Sequence, residues 1–496
     1  MEGLKRSRVR RKAQFLITAA VVLVLSVLIL RRLVDRTNFN TTTTTTTTTG
    51  SHNHHHDTPF AAEPPSDAPC PTHLPGADDI FIVLKTGATV AHAKVPIHLR
   101  TTFRCAPHFA LFSDLDDIID GHLVHDVFGG GGVPDAVKAA ANDSDDGNEY
   151  DAAGAFELYD RLRAWQTARV DIAAKAANDA ALRQQAWNLD KWKFLPLMRA
   201  ALAHAPRGPR TRWFVFIEAD TALMWSNLLR WLPRFDAAKA WYIGCPSWIA
   251  GSAFAHGGTG IILSRPALSL LVAALDADAS LYPRLTSATW AGDYVLAQAM
   301  ALVGVPLTPA FPIMQGETPW SLDYTKRHWC YPVVSWHHMT PEWVGRVWGF
   351  QQGFWGDGGG EKGWWGWGRG EGDGEVMRHY HVFEEFVAPV VRAGERVGWD
   401  NLSPEVMGSE VVVGLGGEAG KEGCRKACER TENCMQWLWD GRGDGTCKWA
   451  KEVRLGKEVE AVDGEDVSMT SGWIVERIDE FVESMNGCMM GDWIVE

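Results

Sequence analysis

The sequence predicts an α/β fold with an open, largely parallel sheet, and three runs of residues carry that prediction. Residues 79–86 (DIFIVLKT), 109–114 (FALFSD) and 213–220 (WFVFIEAD) are short, continuously apolar and rich in β-branched or aromatic side chains. Strands covered by helices on both faces read this way, whereas a strand with one wet face alternates. Longer helical stretches separate the runs, as crossover connections between parallel strands require.

The first element in chain order precedes the sheet. Residues 13–30 form an apolar run with no charge inside it. Eighteen residues rising ~1.5 Å each cover about 27 Å, enough for a bilayer core. Lys5, Arg6, Arg8, Arg10, Arg11 and Lys12 precede the run, and only Arg31, Arg32 and Arg36 follow it closely. That asymmetry sets the N-terminus in the cytosol and predicts a single-pass type II membrane protein with residues 1–12 as its tail. A cleaved signal peptide would have a shorter apolar core and small residues at its cleavage site. A span this short suits the thinner early secretory bilayers, so the Golgi membrane is the expected location and the endoplasmic reticulum the alternative. Residues 31–77 follow as a stem. Nine threonines (41–49), scattered prolines and His52, His54, His55 and His56 give it a composition that cannot bury a core.

The globular part spans residues 78–400. Helices are expected between the first two strands, at 151–176 and at 187–204 (WNLDKWKFLPLMRAALAH), the last with a proline inside it. Residues 123–150 are rich in Gly, Asp and Asn and read as a surface loop. Another strand is expected at 241–246 (WYIGCP), a glycine segment at 256–265 (HGGTGIILSR), a helix at 289–300 with Asp293 in its first turn, and an apolar run at 333–339 ending in paired histidines. Residues 349–375 form a Gly- and Trp-dense insertion, followed by a helix at 376–392. Residues 401–496 form a small module in which Cys424, Cys428, Cys434 and Cys447 suggest two disulfides rather than a zinc site.

Charge narrows the function. The first 36 residues carry a net of +7, which leaves −20 on the remainder of a chain whose total is −13. A surface that acidic excludes nucleic acid as a partner. All nine cysteines lie beyond the apolar run, as an oxidising lumen allows, and the odd count leaves one thiol free or paired between chains in a homo-oligomer. Sequons at Asn40, Asn142 and Asn401 agree with lumenal exposure.

Each strand run ends in polar groups: Lys85-Thr86, Ser113-Asp114 and Glu218-Ala219-Asp220. Ligands of open α/β sheets sit at the carboxyl ends of parallel strands, so these ends predict one nucleotide-sized crevice. Glu218 and Asp220 are of the type that holds Mn²⁺ or Mg²⁺ against nucleotide phosphates. An acidic pair two residues apart also arises by chance in a chain with 61 acidic residues. Gly257, Gly258 and Gly260 allow the backbone to approach a ligand closely.

In order, KTG, FSD, WFVFIEAD, HGGTGIILSR, GDYVL and SWHHM resemble glycosyltransferase family 31, the Fringe-like and core-1 β1,3-galactosyltransferase-like enzymes. KTGATVAHAKVP, TTFRC and WNLDKWKFLP are similar to the fungal branch, and the likeness runs over residues 78–338. The resemblance implies a GT-A fold, a Rossmann-like nucleotide-sugar-binding domain. It also implies transfer of a hexose from a UDP-sugar with inversion, forming a β1,3 linkage on a glycoprotein or glycan acceptor. It implies Asp220 with His338, and His337 close behind, as ligands of Mn²⁺ or Mg²⁺, and Asp293 as general base. Thr86 and Asp114 would meet the uridine end of the donor, with Glu218, Gly257, Gly258 and Gly260 lining its site. Glu218 departs from the Asp usual in animal relatives. The cysteine-rich tail resembles a reduced PAN/apple module. A second reading, a catalytically inactive Golgi glycan-binding or scaffold protein, draws on Glu218 and that tail. A glycosidase would need two carboxylates flanking one bond, and none are clearly paired here.

Overall fold

The strand order brings the polar strand ends to one edge of a sheet. β1 (Ile80–Lys85), β2 (Phe109–Ser113), β3 (Asp117–Ile119), β4 (His122–Asp126) and β5 (Trp213–Glu218) lead into a two-residue strand, β6 (Ala222–Leu223). β7 (Tyr242–Gly244), the hairpin β8–β9 (Pro246–Ile249 and Ser252–Ala255), β10 (Ile261–Ser264), β11 (Leu307–Pro309) and β12 (Ser335–Trp336) follow. Eight of them form one mixed sheet in the order β11-β7-β10-β5-β1-β2-β4-β3. β5, β1 and β2 are parallel neighbours at its centre, so their carboxyl ends open on the same edge.

This computed structural model describes residues 70, 75–129, 152–206, 210–354, 376–407, 417–442, 445–459, 469–485, 488 and 492–495. All of them fall in one unit, Ala62–Glu496. The apolar segment 13–30, the stem histidines, the sequons at Asn40 and Asn142, and residues 355–375 of the insertion lie outside the described residues. Among the described residues no helix is long and apolar enough to cross a membrane.

The central strands are buried on both faces, as their composition requires. Phe81, Val83, Phe214 and Phe216 pack into the cluster that holds helices Phe194–His204, Arg265–Ala277 and Gly292–Leu302. Ile80, Ile82, Leu84, Val215 and Ile217 face the other way, with Val95, Trp225 and Trp348. Each such side chain contributes about 1.5–3 kcal/mol by leaving water.

Three local expectations are corrected. The helix expected over 187–204 is broken: Ala180–Asp190 ends, a 3₁₀ turn covers Lys191–Lys193, and Phe194–His204 begins anew. Pro196 has no N–H for the carbonyl of Trp192 four residues earlier, and the Tyr282 hydroxyl donates to that carbonyl instead, at 2.8 Å. Residues 123–126 belong to β4, because Val124 pairs with Leu111 of β2. The expected insertion begins late, since helix Pro341–Gln352 runs through position 349.

The cysteine-rich region forms a five-stranded antiparallel sheet that also takes in Glu395–Val397, upstream of residue 401. Cys424–Cys447 and Cys428–Cys434 close it around Trp437 and Trp439. Cys70–Cys105 and Cys330–Cys488 are the other disulfides, and Cys245 is free, buried and pushed up to about 12 by that burial. Asn401 corrects the reading of its sequon. It is fully buried, and its amide donates to the carbonyl of Trp437 at 2.9 Å, so no glycan has room there.

Candidate active site

The acidic turn after β5 is drawn to the histidine pair by a short ladder. β6 and β12 pair antiparallel, Ala222 opposite Trp336 and Leu223 opposite Ser335. The Met339 amide then donates to the Asp220 carbonyl at 2.9 Å. Consecutive strand residues point to opposite faces, but His338 adopts φ 57°, and the two imidazoles stack with centroids 3.7 Å apart. One donor atom each from Asp220, His337 and His338 lies within 4.8 Å of the others.

Electrostatics prepare these donors. Burial would raise the Asp220 carboxyl, but Lys94, His337 and His338 outweigh it and hold it well below the usual carboxylate range. Burial pushes the His337 imidazole down to about 3, so it stays neutral with a lone pair to give. Its Nδ1 is buried without a hydrogen-bond partner. One Asp220 oxygen takes the Lys94 ammonium at 3.0 Å, and the other faces His337 Nε2 at 3.6 Å. A carboxylate oxygen and two neutral imidazoles suit a borderline divalent cation such as Mn²⁺, so the residues present fit the group.

The glycine segment packs between this cluster and Asp293. A Cβ on Gly258 would stand 2.0 Å from His337 Nε2, and one on Gly257 would stand 3.1 Å from Glu218 Oε1. Gly260 has φ 93°, which L side chains rarely adopt. The Thr221 hydroxyl donates to the Gly258 carbonyl at 2.7 Å, tying the segment to the acidic turn. Asp293, in the first turn of Gly292–Leu302, accepts from the Gly257 amide at 2.9 Å. Burial raises its carboxyl against the pull of that amide and of His256. Such a group is poised closer to neutrality than a free Asp, as a general base should be.

A second ionic group joins the ends of β1, β2 and β5, and its two lysine–carboxylate pairings were not read from the sequence. Lys85 at the end of β1 contacts Asp190 and reaches Glu218 at 3.1 Å, with its ammonium 4.5 Å over the Phe194 ring. Burial would depress that ammonium, but the Asp190 and Glu218 carboxylates hold it above its ordinary value. Lys193 meets Asp114 at 3.1 Å and Asp190 at 3.3 Å, and donates to the Thr86 carbonyl at 2.9 Å. Glu218 is therefore committed to a lysine and stands outside the candidate metal cluster. Asp114 is buried, and its other oxygen accepts from the Ala88 amide at 2.7 Å, which fixes the turn after β1. Thr86 is also buried, its hydroxyl without a hydrogen-bond partner. Lys85, Lys94, Asp190, Lys193 and His256 had no assigned role from sequence. The signal for two of them was the DKWK stretch, too hydrophobic on both sides for surface lysines.

Comparison with known proteins adds one finding. Residues 173–311 match the family model described as Fringe-like, a glycosyltransferase family. The matched span holds Glu218, Asp220, the glycine segment and Asp293; Thr86, Asp114, His337 and His338 lie beyond it. The mixed α/β sheet fits a GT-A-like fold, and the class that the match supports is a glycosyltransferase. No curated protein matches the chain.

Proposed function

We propose that this chain is an inverting glycosyltransferase that uses a UDP-sugar, with Asp220, His337 and His338 as the residues that would hold Mn²⁺ or Mg²⁺. One observation carries the reading: these donors converge at the carboxyl end of β5, beside a glycine segment that Asp293 hydrogen-bonds. A divalent cation there would offset the negative charge that builds on a departing diphosphate.

The chain's own residues account for the remaining steps. Asp293 accepts the proton of an acceptor hydroxyl, and the freed oxygen pair attacks the anomeric carbon from the face opposite UDP. The bond from that carbon to the diphosphate oxygen breaks, and UDP leaves with the electron pair. One carboxylate suffices, since a single displacement inverts the centre. Lys85 and Lys193 fix Glu218 and Asp114 beneath the donor. In this reading residues 13–30 anchor the chain in the Golgi membrane, the stem extends the site into the lumen, and a glycoprotein or glycan receives a β1,3-linked hexose.

A second reading, a glycan-binding scaffold on the same fold, is favoured by the Lys94–Asp220 pair, which gives the carboxylate a cation of its own. Asp220→Asn separates the two. Mn²⁺-dependent UDP binding by calorimetry and hydrolysis of a UDP-sugar panel should both fall at least about 100-fold. Unchanged binding and turnover would overturn the enzyme reading.

A further inference from the structure

Among the described residues, two large exposed aromatics stack on each other. Trp187 is 51% exposed and Trp290 is 40% exposed, with ring centroids 5.7 Å apart and planes inclined by 25°. They come from different elements. Trp187 lies on helix Ala180–Asp190, one turn before Asp190, and Trp290 stands three residues before Asp293. Three residues span no more than about 10 Å, so the backbone of Trp290 stands within that distance of the proposed base.

The platform is held in place. Lys191 donates to the carbonyl of Thr289 at 2.9 Å, which joins the two segments. Gly292 sits so tightly on Phe194 that a Cβ there would come within 2.3 Å of its ring. Two exposed indoles stacked on anchored backbone present a rigid, flat apolar face to solvent, which a ligand with an apolar face can cover.

We infer that Trp187 and Trp290 form the seat for a neutral pyranose of the acceptor glycan, stacked by its C–H face with a hydroxyl turned to Asp293. The inference rests on the proposed transferase reading. Its chemistry follows from the neighbours: the rings offer a flat apolar face, and Asp293 is a hydrogen-bond acceptor. A neutral ring lined with C–H groups and edged with hydroxyl donors complements both.

Saturation-transfer NMR on the full-length chain tests it, with methyl β-galactopyranoside, methyl α-mannopyranoside and methyl N-acetyl-β-glucosaminide as probes. At least one should receive saturation on one C–H face, weakened about tenfold in Trp187→Ala/Trp290→Ala and largely restored in Trp290→Phe. Mn²⁺-dependent UDP binding should stay unchanged in all three proteins. If UDP binds and no pyranoside contact depends on the pair, the inference is overturned while the transferase reading stands. Self-association or apolar-peptide binding lost with the tryptophans would overturn it too. If UDP does not bind but the pyranoside contact does depend on them, the transferase reading fails and the seat survives as a glycan-binding site.

Discussion

The crevice holds two sets of carboxylates that the fold treats differently. Asp114 and Asp190 face Lys85 and Lys193, lysines that are 6% and 2% exposed. Asp220 faces Lys94, a lysine that is 32% exposed, together with two imidazoles. A sealed ion pair has lost its alternatives, because separating it would leave a charge in low dielectric. The carboxylates themselves do not differ in that way, Asp190 being 31% and Asp220 21% exposed; the lysines do, and a lysine that water reaches can leave Asp220 to another cation. The first set builds the floor; the second is free to take a ligand.

Breaking the sealed set should have the largest effect. Lys193→Met removes the cation shared by Asp114 and Asp190 and the donor to the Thr86 carbonyl. Loss of one partner from a buried pair costs about 3–5 kcal/mol, and urea unfolding of the variant should show it. A loss under about 1 kcal/mol would mean that water reaches the floor and that the contrast is drawn too sharply.

The open set should respond through its geometry instead. Gly258→Ala puts a methyl group where His337 Nε2 now stands, so the imidazole must swing away from Asp220. Mn²⁺ affinity, followed by electron paramagnetic resonance of the free ion, should fall about 10–100-fold, as for lost support of a ligand. Equal affinity in the variant would remove His337 from the cluster and leave Asp220 with His338.

How much of this was legible from residues alone divides along the same line. The buried strands were, because a doubly covered strand must be apolar throughout. Asp220 and the paired histidines were nominated by the resemblance to glycosyltransferase family 31, and what the fold adds is that their donor atoms come together. The lysines of the floor were legible only in part: Lys85 closes a buried strand and Lys193 sits in the apolar DKWK stretch, but a lysine is ordinarily a surface residue, and its partner carboxylates appear only in the folded contacts. The break at Lys191–Lys193, which sets Lys193 in the floor, depends on a proline whose effect on a helix is local but whose rescue by Tyr282 comes from 90 residues away. Asn401 shows the limit of a short motif, since a sequon says nothing about burial in a sheet that distant strands complete.

The smallest expected effect is the most direct reading of the sealed set, because it follows the charge itself. Burial pushes the Asp190 carboxyl up, but Lys85 and Lys193 outweigh it, and the net shift is below the ordinary value of 3.8. A carboxyl lowered in the folded state stabilises it above the unfolded value, and that contribution disappears as pH falls through the folded one. Urea midpoints of the wild type should therefore exceed those of Asp190→Asn at neutral pH, and the gap should close as pH drops below about 4. Lys85 is raised, so its share persists up to its ordinary 10.5 and leaves the neutral range untouched. A gap that stays constant into acid would mean that Asp190 acts by packing and hydrogen bonding, with its charge already neutralised. The floor would then be a polar network rather than an ionic one, and Lys94 on Asp220 would be the crevice's main unspent cation–carboxylate contact.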